Sequence, residues 1–96
     1  PYAPIITSGM AAGVDGLAHQ AALDNALSTI AVLGTGLGTV YPAHHAALVR
    51  QVVETGGLVL SEYPFAFAGD RFSFPARNRM IAGLSQGVLV TECPLK

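Results

Sequence analysis

Short apolar runs alternate with stretches of helical period along the chain. PIIT at 4–7 reads as a strand, and VDGLAHQAALDNAL at 14–27 as a helix. In that helix Val14, Leu17, Ala18, Ala21 and Ala22 recur at the i, i+3, i+4, i+7 spacing of one apolar face. TIAVLG at 29–34 is an unbroken strand-like run, and AHHAALVRQVVET at 43–55 carries Leu48, Val49, Val52 and Val53 on one helical face. Pro42 suits the first position of that helix, and Gly56-Gly57 its end. GLVLSE at 57–62 is a third strand, YPFAFAGDRFSF a long loop, PARNRMIAGLS at 75–85 a short helix and GVLVTE at 87–92 a last strand. Strands apolar at every position, and not at alternate ones, are strands buried on both faces. Strand-helix-strand alternation with short connections builds right-handed βαβ units. The expected fold is a Rossmann-like three-layer α/β/α domain with a mainly parallel sheet. Pro1 leads straight into an apolar run and Lys96 closely follows the last strand, so the chain reads as one partial domain, cut at both ends.

Composition narrows the function. Only 11% of the 96 residues are charged and 51% are hydrophobic, against about 25% charged in ordinary globular domains. A surface so poor in charge is expected to be covered in part by a partner or by further chain. The net charge of -1 provides no general basic field, so any anion site must be local. The single Cys93 excludes an internal disulfide and a cysteine-rich zinc site, and fits an intracellular protein. No signal peptide is evident, and apolar stretches break well short of the roughly 20 residues that span a bilayer.

In parallel α/β sheets, ligands gather at the carboxyl ends of the strands. Those ends are Thr7-Ser8-Gly9, Gly34-Thr35-Gly36, Ser61-Glu62-Tyr63 and Thr91-Glu92. TSGMAAGVDG at 7–16 follows the first strand and opens the first helix, where Gly9, Gly13 and Gly16 let backbone turn tightly and approach a ligand. Free N–H groups at a helix start favour an anion, and Ser8 adds a hydroxyl. GTGLG at 34–38 has Thr39 where a dinucleotide fingerprint needs its third glycine, and no helix follows it, which argues against a NAD site. GLSQG at 83–87 matches the nucleophile-elbow pattern, but it runs from helix to strand and no His follows, so Ser85 reads as a turn residue. Asp15 and His19 share a helical face as a structural pair, His44 and His45 point apart, and no His, Cys and carboxylate cluster has metal-ligand spacing.

Positive charge is scarce and concentrated. Of five Lys and Arg, Arg71, Arg77 and Arg79 lie within DRFSFPARNRMIAGLS at 70–85. With Pro75 opening a helix, Arg77, Asn78 and Arg79 fall around its first turn, where cations oppose the helix dipole unless a bound phosphate reverses the balance. The competing reading pairs Arg71 or Arg79 with Asp70, Glu62 or Glu92 at the surface. All four Phe lie in or beside the preceding loop, and Phe72 and Phe74 are candidates for stacking on a base.

Taken together, SGMAAGVDGLAH, TIAVLGTGLGTVYP, GGLVLSEYP and FPARNRMIAGLSQGVLVTE resemble, in order, the Rossmann-like domain of the DprA/Smf family of DNA-processing proteins, over about residues 6–93. The resemblance implies a cytoplasmic bacterial protein, without enzymatic activity or a cofactor. Such a protein binds single-stranded DNA, protects it during natural transformation, loads RecA and acts as a homodimer. The family's first motif corresponds to Ser8, Gly9, Ala11, Gly13 and Asp15, and its F-P-x-R-N-R segment to Phe74, Pro75, Arg77, Asn78 and Arg79. With the glycine loop at 34–38 lining the same cleft, the expected phosphate-binding residues are Ser8, Gly9, Met10, Gly13, Gly34, Gly36, Arg77, Asn78 and Arg79. The family commonly has a basic residue where this chain has Ala12, and another soon after the Tyr-Pro, where it has Ala43 and His44. The expected phosphate grip therefore falls on Arg77 and Arg79. The alternative from the residues alone is a nucleotide-binding or nucleotide-hydrolysing enzyme using Glu62 or Glu92. A third reading is a module that chiefly makes protein contacts.

Overall fold

The computed structural model describes residues 4–87, so the expected strand at 87–92 lies outside the described residues beyond its first position. Three parallel strands, β1 (Ile6–Ser8), β2 (Thr29–Leu33) and β3 (Leu58–Ser61), form a sheet in the order β1-β2-β3. Helix α1 (Val14–Asp24) links β1 to β2. A short 3-10 turn (Ala43–His45) and α2 (Ala46–Glu54) link β2 to β3, and α3 (Ser73–Leu84) follows. This is the parallel α/β architecture expected from the apolar runs.

The register decides which side chains meet. Ile6 pairs with Thr29, Ala31 with Val59 and Leu33 with Ser61, and paired residues point to the same face of a sheet. On that face Ala31 and Leu33 join Met10 and Val52 in a buried core, with Leu23, Leu48, Val49 and Val59 packed around it. This is the α1–α2 side. Val32 points the other way and is fully buried, on the side that α3 crosses. Ile5 and Leu58 remain exposed, as the low charge content foreshadowed.

The helix ends show what spacing alone misses. The pattern extends α1 to residue 27, but the helix stops at Asp24. Ala26 takes a left-handed φ of 56°, its N–H reaches Leu23 O, and the N–H of Leu27 reaches Ala22 O at 2.8 Å. That is a Schellman closure with Ala where Gly is usual. Asn25 Nδ2 adds a bond to Ala21 O at 2.7 Å. The same closure ends α2 with Gly56 at φ 88°, as its Gly-Gly pair predicts.

Helix α3 begins two residues before the expected Pro75. Asp70 Oδ1 accepts the N–H groups of Phe72 and Ser73 at 2.9 and 2.8 Å, and Ser73 Oγ accepts the Asp70 N–H at 2.9 Å. Pro75 then sits in the first turn, where its missing N–H has no helical acceptor to lose.

Candidate nucleic-acid interface

The carboxyl edge of the sheet carries the loop from Ser8 to Gly13. Ser8 is half-buried at the end of β1, whereas Ala12 and Gly13 are exposed at the loop tip. Gly13 precedes α1 at φ 84°, and a Cβ there would meet nothing within 4 Å among the described residues, so glycine answers to backbone conformation. Within the loop the Ala11 N–H donates to Asp15 Oδ2 at 3.2 Å, and the Gly16 N–H to Ala11 O. The N–H groups of Ala12, Gly13 and Val14 have no acceptor among the described residues. A helix start with exposed, unengaged N–H groups attracts anions.

Arg77 departs from expectation. Because α3 starts at Ser73, Arg77 falls in its second turn and points into the sheet, only 6% exposed. Its Nη1 donates to Gly9 O at 2.7 Å and to Val32 O at 3.0 Å, and its Nε to Phe74 O and Asn78 Oδ1. Burial pulls the guanidinium below its ordinary value, with the attraction of Asp15 and Tyr63 opposing. The guanidinium fork assigned to a phosphate from sequence is, in this structure, engaged with the protein's own backbone.

Arg79 is the exposed counterpart. Its side chain is 71% accessible and forms an ion pair with Glu62 at the end of β3, which is one of the pairings the sequence allowed. Asn78 is also exposed. Phe72 is 67% exposed, with the Arg71 guanidinium carbon 4.9 Å from its ring centroid. Phe74, the other stacking candidate, is used in packing. Its ring centroid is 5.1 Å from that of Tyr41, and a Cβ on Gly34 would lie 2.5 Å from Phe74 Cδ1.

Two further sets of candidate residues are engaged in packing. Gly34 and Gly36 are buried, and the Gly36 and Gly38 N–H groups donate to Phe67 O and Phe65 O, both at 2.8 Å. Their missing side chains admit the 64–67 loop and Phe74. Met10 is fully buried in the core, at a positive φ of 61°, so it offers only backbone to the loop.

The three histidines take different roles. His19 does not bond Asp15; its Nδ1 lies 2.7 Å from Thr29 Oγ1, which in turn donates to Ile6 O at 2.7 Å. His45 Nδ1 lies 2.9 Å from Met10 O, a contact sequence spacing gave no signal for. His44 is exposed beside it, and the two rings meet edge to face with centroids 4.6 Å apart, where the sequence had them pointing apart. Ser85 Oγ donates to Ile81 O, as befits a turn residue. Among the described residues, no three or more His, Cys, Asp or Glu gather to hold a metal, and no helix is long and apolar enough to cross a membrane. Glu92 lies outside the described residues.

A parallel α/β sheet with a glycine-bearing loop at its carboxyl edge defines a Rossmann-like domain. The chain belongs to the DNA recombination-mediator protein A family, whose profile matches residues 2–96. It is 50% identical over 91 residues to Protein Smf of Escherichia coli (strain K12), covering 95% of this chain and 24% of that protein. It is 48% identical over 92 residues to DNA processing protein DprA of Streptococcus pneumoniae, covering 96% of this chain and 32% of that one. The X-ray structure of the latter superposes with a TM-score of 0.74 at 49% identity, over 83% of this chain and 28% of the other. The chain thus spans about a quarter to a third of the length of these relatives.

Proposed function

We propose that this chain is a single-stranded DNA-binding module that holds the sugar-phosphate backbone along the carboxyl edge of its sheet. In this reading it serves DNA processing during uptake and recombination, in a cytoplasmic homodimer that passes DNA to RecA. Membership of the recombination-mediator family supports the DNA role. The observation that carries the site is the exposed, unengaged N–H row at Ala12–Val14, with Asn78 and Arg79 on α3 and the open ring of Phe72 as further contacts. Phosphate would take the N–H groups and Arg79, and a base would stack on Phe72. The module acts by binding alone, since the one described acid at a strand end, Glu62, is paired with Arg79.

The test is a salt titration of oligo-dT binding. Affinity should fall steeply with salt, and Arg79→Ala should weaken binding for all sequences while lowering the log–log slope by about 0.7, one phosphate on a single strand. Salt-independent binding would refute the proposal.

Glu62 competes with phosphate for Arg79. Glu62→Gln is therefore expected to tighten oligo-dT binding by about two- to fivefold, the worth of an exposed ion pair. Equal or weaker affinity would show that the pair does not restrain the arginine.

A further inference from the structure

Two consecutive peptide groups in the Ser8–Gly13 loop are held by side chains from three different parts of the fold. The carbonyl of Gly9 accepts Arg77 Nη1 of α3 at 2.7 Å. The carbonyl of Met10 lies 2.9 Å from Nδ1 of His45, in the turn before α2. The N–H of the peptide that Met10 shares with Ala11 donates to Asp15 of α1. Met10 is held at φ 61°, a conformation that side-chain-bearing residues rarely adopt unless their surroundings impose it. Around Gly9 there is no slack, since a Cβ would lie 2.7 Å from Arg77 Nη1 and 3.0 Å from Asp15 Oδ2.

The consequence is directional. With the carbonyls of Gly9 and Met10 turned inward, the loop presents its next N–H groups, Ala12 to Val14, at the exposed tip. We infer that Arg77 and His45 are positioning residues that orient this loop for phosphate, and that Arg77 makes no phosphate contact itself. The inference rests on the DNA-binding reading above and deepens it. An arginine in a phosphate site is ordinarily read as the phosphate's partner; here its exposure and its acceptors give it the backbone instead.

Counterion release separates the two roles. A residue that neutralises a phosphate contributes to the salt slope, and one that only orients backbone does not. Oligo-dT titrations should show Arg77→Gln and His45→Ala each losing about tenfold in affinity with an unchanged slope, the loss being one of preorganisation. His45→Asn, which keeps a donor near Nδ1, should restore most of the affinity. A slope lowered by about 0.7 in Arg77→Gln would make Arg77 a direct contact and overturn the inference while leaving DNA binding intact. If Arg77→Gln does not fold, the His45 pair decides: equal affinity in His45→Ala and the unaltered protein, or no rescue by His45→Asn, overturns the role. Failure of the unaltered protein to bind oligo-dT at any salt would sink both the inference and the reading beneath it.

Discussion

Gly36→Ala is expected to lower the melting temperature by more than about 10 °C. The added Cβ would be built into the carbonyl oxygen of Pro64 and would lie 2.5 Å from Phe65 O and 2.7 Å from Phe65 C. All three obstacles are backbone, so no rotamer change relieves them. Neither side can retreat freely. The Gly36 N–H is bonded to Phe67 O, the Phe67 N–H to Pro64 O, and the Gly38 N–H to Phe65 O. Ser61 Oγ holds Thr35 O from below at 2.5 Å. Overpacking costs typically about 1–3 kcal/mol, and here, against backbone held on both sides, the upper end of that range applies, a large part of the roughly 5–15 kcal/mol that stabilises an ordinary domain. Gly83→Ala is the control. Gly83 lies in the last turn of α3, and no atom of the described residues is within 4 Å of a new Cβ, so that change should stabilise by about 0.5–1 kcal/mol. Thermal denaturation of the two variants checks both signs, and a Gly36→Ala melting temperature within a few degrees of the unaltered protein would contradict the packing account.

The second large effect is acid sensitivity through His19. This side chain is fully buried between α1 and the sheet. Thr29 Oγ1 spends its proton on Ile6 O, so it accepts from Nδ1–H of His19, and Nε2 is left without a partner among the described residues. Burial lowers the imidazole below its ordinary value of 6.5; Asp15 and the Ser8 backbone favour the cation, and His45 disfavours it. Below pH 6.5 the unfolded chain therefore takes up a proton that the folded chain resists. Stability should be full above that pH and fall as the pH drops toward the lowered folded value. The slope approaches about 1.4 kcal/mol per pH unit for one proton. Urea denaturation between about pH 8 and pH 5 should show this decline in the unaltered protein and a flatter profile in His19→Asn. Parallel profiles would remove His19 as the cause.

These two sites differ in how far the sequence announces them. Gly36 stands out in GTGLG, but the same letters serve a ligand loop and a packing loop. What separates them is the 64–67 segment, some thirty residues away in the chain, lying against the glycine. His19 sits four residues from Asp15, which makes a pairing between them look natural. The partner is Thr29, supplied by a strand that only the βαβ crossover brings alongside.

The sequence by itself determined the class of fold, the order of its elements over the described residues and the family. Continuous apolar runs, helical periods and glycine stops are local features, set by residues within a few positions of one another. It also marked DRFSFPARNRMIAGLS as the place where scarce charge is concentrated. Only the tertiary structure decided what each of those charges does. Helix α3 begins at Ser73, where Asp70 Oδ1 accepts the Ser73 N–H, and it packs so that Arg77 meets Gly9 O and Val32 O while Arg79 stays outside with Glu62. A helix rotates its side chains by about 100° per residue, so the two arginines, two positions apart, point in different directions. Their roles follow from which direction faces the sheet, and the sheet is built by strands distant in the sequence.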